Sequence, residues 1–65
     1  MNKQRRRKAE ALLKELSAIQ VELEVLKGEE AAAFDSIVTV LEVEALGEAV
    51  SSVEQAIGAL KEAVA

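Results

Sequence analysis

Apolar residues recur at alternating spacings of four and three in two long parts of the chain. The first set lies in the N-terminal half and comprises Leu12, Leu16, Ile19, Leu23 and Leu26. The second set lies in the C-terminal half and comprises Val43, Leu46, Val50, Val53, Ile57, Leu60 and Val64. Such spacing gathers apolar side chains on one stripe of an α-helix and is typical of helices that pack on other helices. The pattern predicts an all-α fold, with residues 1–65 forming one helical domain.

The heptad register also describes the positions that flank each stripe. In the first helix the g positions hold glutamates, whereas in the second helix they hold Ala49, Ala56 and Ala63. Small side chains beside a packing stripe let another helix approach closely. We therefore expect these alanines to make a close helix contact, and the second helix to be buried on more than one side. The two apolar stripes are expected to form the packing core of an oligomer.

The segment between the two stripes decides the fold. Asp35 and Ser36 are predicted to form an N-cap pair, and a turn there would leave helix 1 over about residues 3–34 and helix 2 over about residues 37–64. Helices of this length pair as an antiparallel, coiled-coil-like hairpin about 45 Å long, and two hairpins can bury both apolar faces in a four-helix bundle. The alternative is one continuous long helix in a multi-stranded coiled coil, because apolar residues at helical spacing also bridge the stripes and no proline is present.

Composition limits the chemistry of the protein. The chain has no histidine, cysteine, tryptophan or tyrosine, and one phenylalanine. Zinc and iron sites generally need imidazole or thiolate ligands, and general acid–base catalysis at neutral pH most often uses histidine. We therefore expect a protein that is not an enzyme and has no metal, no cofactor and no small-molecule substrate. Because the chain has neither a long uncharged run nor a secretory signal, we expect no membrane association and a cytoplasmic location.

Charge is distributed unevenly along the chain. Five of the eight cations lie in the first eight residues, which we call the basic arm (residues 1–8), and all twelve acidic residues follow it. Cations oppose the partial positive charge of a helix N-terminus, so local helix stability does not explain the arm. Three interpretations are open: a solvated end, a contact with acidic side chains of another helix, or a phosphate contact. The cations concerned are Lys3, Arg5, Arg6, Arg7 and Lys8.

Several short motifs along the chain form a recognisable pattern. The most specific is Ala33-Phe34-Asp35 followed by Ile37. The others are Met1-Asn2-Lys3, Arg5-Arg6-Arg7, Glu29-Glu30, Leu41, Gly47-Glu48-Ala49 and Val53-Glu54-Gln55-Ala56-Ile57. Together they resemble small uncharacterised coiled-coil proteins of phages and prophages. The resemblance covers nearly the whole chain, and it implies a phage-encoded helical hairpin in the host cytoplasm with no catalytic residues.

The chain departs from that family after Ile37. Where the family has a polar loop that begins with proline and ends with arginine before a glycine, this chain has apolar residues at helical spacing, namely Val38, Val40, Val43 and Leu46. The difference predicts a shorter turn, a longer second helix or a different oligomer. It also fits a designed or computationally generated variant of the family.

Burial of the apolar stripes favours self-association. A lone hairpin buries one seam, and a domain this small rarely gains more than about 3–5 kcal/mol from a single core. We therefore expect a homo-oligomer, with a dimer preferred, that serves as a non-enzymatic self-assembly or protein-interaction module, either a phage accessory protein or a designed oligomer. Another protein is a second candidate partner. The alternatives are weak nucleic-acid binding through the basic arm, which the acidic remainder of the chain disfavours, and inhibition of a host protein.

Overall fold

Two antiparallel helices make up the computed structural model, which describes residues 1–33 and 37–65. Helix α1 spans Lys3–Ala32 and helix α2 spans Ile37–Val64, and the described residues contain no strand. The chain measures 50 × 14 × 12 Å along its principal axes, whereas one continuous helix would be about 95 Å long. The predicted all-α hairpin is confirmed, and the continuous helix is not formed. The turn predicted at Asp35 and Ser36 lies outside the described residues.

Helix α1 begins where a side chain caps its first turn. Asn2 has extended backbone angles, φ −75° and ψ 167°, and its Oδ1 atom accepts a hydrogen bond from the Arg5 N–H at 2.8 Å. The Asn2 carbonyl oxygen accepts a bond from the Arg6 N–H at 2.9 Å. Asparagine is a favoured N-cap because its side chain satisfies an N–H group that has no partner within the helix. The basic arm is therefore helical from Lys3 onwards.

Helix α2 faces α1 with the stripe that its sequence predicts. Every a and d residue from Val43 to Val64 is buried or half-buried, and one step backwards in the same register adds Thr39, which is 7% exposed. This complete series gives α2 one continuous seam along its length.

Helix α1 faces α2 with its a and e positions instead of its a and d positions. The buried and half-buried residues of this stripe are Ala9, Leu13, Leu16, Gln20, Leu23 and Glu30. Since the d positions lie on the other side of the a positions around the helix, α1 is rotated so that its d row flanks the seam. The hairpin thus uses only part of the apolar surface of α1.

The seam between the helices buries few side chains. Among the described residues only Ala9, Thr39, Val50 and Ile57 are buried, and no large side chain is fully buried. Two helices in contact leave both long sides of their seam open to solvent, so most seam residues stay partly exposed. One hairpin therefore has little core of its own.

Two of the helical glycines have no packing reason in the hairpin. A Cβ atom added at Gly28 or Gly58 would meet nothing within 4 Å. Because glycine costs about 1 kcal/mol relative to alanine inside a helix, Gly58→Ala is expected to stabilise the protein by about that amount and to raise its Tm by about 4–8 °C. Thermal unfolding followed by circular dichroism measures the shift. A lower Tm would show that Gly58 makes a close contact that the hairpin lacks.

Candidate interaction surface

Two side-chain contacts fix how the helices lie against each other. The Gln20 Nε2 atom donates a hydrogen bond to the Glu54 Oε1 atom at 3.1 Å. Lys27 extends over Gly47, where an added Cβ would lie 3.4 Å from the lysine Nζ atom. Gln20 pairs with Glu54, and Lys27, seven residues later in α1, pairs with Gly47, seven residues earlier in α2. The helices therefore run antiparallel, and their facing residues keep the same heptad spacing. These four residues lie on one long side of the hairpin, which we call the polar face.

The opposite long side carries large apolar and small residues, and we call it the apolar face. In an antiparallel helix pair, the d and g positions of one helix flank the seam on the same side as the g positions of the other, while the e positions flank the opposite side. This geometry places the d row of α1 beside the g row of α2. The apolar face is formed by Leu12, Ile19 and Leu26 of α1 and by Ala49, Ala56 and Ala63 of α2.

Two shallow grooves agree with this division into faces. One groove is lined by Leu26 and Glu30 of α1 and by Glu42, Ala45 and Leu46 of α2. The other is lined by Ala31, Val40, Val43 and Glu44. The g and c positions of α2 therefore neighbour the d row of α1 in the first groove, whereas the e and b positions line the second.

The d row of α1 is exposed although its residues are large and apolar. Leu12 is 53% exposed, and Ile19 and Leu26 are each 44% exposed. In the neighbouring row Ala49 is half-buried, and Ala56 and Ala63 are exposed. Since soluble monomers rarely expose large contiguous apolar patches, such a row marks a contact surface for another molecule. With the helices in step, the approximate level pairs are Leu12 with Ala63, Ile19 with Ala56 and Leu26 with Ala49.

The other predicted packing residues lie in the seam of the hairpin. In α1 these are Leu16 and Leu23, and in α2 they are Val43, Leu46, Val50, Val53, Ile57, Leu60 and Val64. Three further seam residues, Leu13, Gln20 and Thr39, do not stand out in the sequence pattern. Thr39 continues the d series of α2, and Leu13 and Gln20 belong to the e series of α1. The heptad register therefore contains the signal for all three.

The cations of the basic arm are all exposed. They occupy the first two turns of α1, where no acidic residue stands in the first turn to complement the helix dipole. Arg5 continues the d row and Lys8 continues the g row, so both project on the side of the apolar face. The arm comprises Lys3, Arg5, Arg6, Arg7 and Lys8, and a phosphate contact there stays a prediction.

The part of the chain that the structure describes offers neither a cluster of metal ligands nor a membrane-spanning helix. Within residues 1–33 and 37–65, no group of three or more histidine, cysteine, aspartate or glutamate residues could hold a metal ion. None of the described helices combines the length and the apolar character needed to cross a bilayer. That the protein is not an enzyme stays a prediction from its composition.

Comparison of the chain with protein-family models, with curated proteins and with solved structures gave no match. The resemblance to small phage coiled-coil proteins, and the alternative of a designed sequence, therefore stay predictions. Function has to be inferred from the surface of the hairpin itself.

Proposed function

We propose that the protein is a non-enzymatic self-assembly module in which two hairpins join through their apolar faces to form a four-helix bundle. The observation that carries this proposal is the exposed row of Leu12, Ile19 and Leu26, which lies beside a row of alanines. In such a bundle each helix directs its a and d residues to a shared centre. The a residues of α1 already face α2, and a second hairpin on the apolar face would cover its d residues.

The surface area of one hairpin supports this proposal. The chain exposes 4850 Å², whereas a folded monomer of 7.0 kDa typically exposes about 4,000 Å². The excess of about 800 Å² equals the area that each partner gives to a standard protein interface. The radius of gyration, 15.1 Å, likewise exceeds the value of about 11 Å for a compact domain of this length. A second hairpin lying along the first would bury this excess area.

The incomplete burial of the seam side chains also supports this proposal, because it limits the stability of a single hairpin. Because no large described side chain is fully buried, each seam residue realises only part of the roughly 1.5–3 kcal/mol that full burial of a large apolar side chain provides. A second hairpin would cover the d row of α1 and one edge of the seam at the same time. Association therefore supplies the core that a single hairpin lacks.

Sedimentation equilibrium tests the proposal. We expect a species of about 14 kDa, twice the 7.0 kDa of one chain, that dissociates on dilution with a loss of helix content. A species of 7.0 kDa that keeps full helix content at every concentration would contradict self-association. In that case the apolar face would serve another protein instead.

The proposal also covers the origin of the module and its cellular location. The exposed apolar face suits either a phage accessory protein or a designed oligomer, since both need only a self-complementary helical surface. The absence of cysteine from the sequence supports a reducing compartment, and we place the assembly in the cytoplasm on that ground.

A further inference from the structure

Charge is separated between the two ends of the hairpin. The basic arm lies at the end where α1 begins, and its five cations are exposed. The opposite end, where α1 ends and α2 begins, carries an exposed cluster that we call the acidic end, formed by Glu24, Glu29, Glu42 and Glu44. Of these, Glu29 and Glu42 occupy g positions on the side of the apolar face, whereas Glu24 and Glu44 occupy b positions on the side of the polar face. Because a helix rises 1.5 Å per residue, the two clusters lie about 35 Å apart along one hairpin. Each end therefore attracts the opposite end of another copy.

Two symmetric arrangements bring a pair of apolar faces together. A two-fold axis along the hairpin places both basic arms at one end of the bundle. A two-fold axis across the hairpin places each basic arm beside the acidic end of the partner. Neighbouring helices lie about 8–10 Å apart, which is close to the Debye length of about 8 Å at physiological salt. Charges on adjacent helices therefore still interact, whereas charges at opposite ends are screened from each other.

Apolar rows come into contact in both arrangements. With the axis along the hairpin, the d row of α1 meets the alanine row of the partner. With the axis across it, Ile19 meets its own copy, Leu12 meets the partner's Leu26, and alanines meet alanines. Both arrangements cover the same apolar rows of the two hairpins. They differ in which charged ends come together, and we take the orientation from that difference.

The g positions of α1 form both attractive and repulsive charge pairs with the partner. With the two-fold axis across the hairpin, Lys8 lies level with the partner's Glu29, and these residues attract each other. Glu15 lies level with the partner's Glu22, and these residues repel each other. Because the two kinds of exposed pair occur in equal number, they largely cancel, and each contributes little. The net preference therefore comes from the other charges of the basic arm and the acidic end.

We infer that the two hairpins associate antiparallel, with the basic arm of each copy seated beside the acidic end of its partner. This inference rests on the proposed function, since it gives the orientation of the self-association described there. It also assigns a role to the basic arm, which local helix stability does not explain. In this arrangement, cations that oppose the dipole of their own helix interact with a second copy instead.

Distance measurement between spin labels tests the orientation. The chain has no cysteine, so Gln4→Cys provides a single labelling site on an exposed position in the basic arm. In the antiparallel dimer the two labels lie about 45 Å apart, because residue 4 and its copy stand 15 residues on either side of the central Ile19 level. In the parallel dimer they lie about 15–25 Å apart. Pulsed electron paramagnetic resonance distinguishes these distances, and the shorter one would overturn the inference.

A central label separates failure of the orientation from failure of self-association. Ser17→Cys places an exposed label near the middle of the bundle, where either orientation gives about 20–30 Å between the two copies. A central distance together with a short arm distance would overturn the antiparallel orientation alone. Absence of dipolar coupling at both positions, with a mass of 7.0 kDa, would overturn both proposals.

The salt dependence of self-association provides a second test of the orientation. Raising the salt concentration screens attraction in the antiparallel dimer and repulsion in the parallel dimer. We therefore expect the Kd of self-association to rise by about tenfold between low and high salt. A Kd that falls with added salt would overturn the antiparallel arrangement. Titration calorimetry by dilution measures this Kd.

Discussion

An Ile19→Lys substitution is expected to dissociate the dimer. Ile19 is the middle residue of the d row and is 44% exposed in one hairpin, but a second copy on the apolar face would cover it. The substitution would bring two ammonium groups, one from each copy, into an apolar contact. An unpaired charge in such a contact costs about 3–5 kcal/mol. The Kd should therefore rise at least about hundredfold, as measured by sedimentation velocity over a concentration series.

Val21→Lys is the matched control for this prediction. Val21 is 60% exposed and occupies an f position, which points away from both α2 and the apolar face. An equivalent change from a branched apolar residue to lysine should therefore alter stability by no more than about 0.5 kcal/mol. If both variants weaken association equally, the loss would reflect added charge in general, and the apolar face would not be the interface.

An Ile57→Ala substitution is expected to destabilise the hairpin itself. Ile57 is 7% exposed and is the most buried large side chain among the described residues. Truncation of a buried isoleucine to alanine costs about 2–5 kcal/mol, which is comparable with the total that a core of this size provides. We expect the Tm to fall by more than about 10 °C, at about 4–8 °C for each kcal/mol lost. Circular dichroism at 222 nm measures the change.

Ile37→Ala provides the corresponding control, because the same atoms are removed at an exposed position. Ile37 is 77% exposed at the start of α2, so its truncation should change stability by no more than about 0.5 kcal/mol. A similar loss of Tm in both variants would mean that the seam of the hairpin does not hold the fold together.

The seam of α2 can be predicted from sequence because its apolar residues offer one stripe only. The a and d positions from Val43 to Val64 are apolar, and they are the positions that pack in the structure. The small alanines in the neighbouring g positions do not compete with them for the contact with α1. Periodicity alone therefore identifies which side of α2 faces its neighbour.

The seam of α1 is harder to predict because its apolar surface is wider than one seam. Leu12 and Leu13 are adjacent in sequence and lie on either side of the a row, so periodicity does not show which of them faces α2. The structure places Leu13 in the seam and leaves Leu12 on the apolar face. The polar Gln20 can lie in the same row as Leu13 because its amide donates a hydrogen bond to Glu54 of α2 at 3.1 Å. The choice thus depends on the partner helix, which local sequence does not contain.

The start of α2 shows local preference overridden by packing. Residues 37–40 are mostly β-branched, a composition with poor helix propensity, yet they form the first turn of α2. Ile37 and Val38 are exposed there, while Thr39 and Val43 face α1. Tertiary contacts of an amphipathic face contribute more to helix stability in proteins than propensity does. Sequence alone leaves this segment ambiguous because those contacts come from α1.

The dependence of thermal unfolding on protein concentration tests most directly whether the fold is completed by a second copy. If two chains separate as they unfold, a hundredfold increase in concentration should raise the Tm by about 10 °C, since mass action stabilises the dimer by about 2.7 kcal/mol over that range. A Tm that stays the same over the whole range, for a cooperatively unfolding species of 7.0 kDa, would contradict self-association through the apolar face.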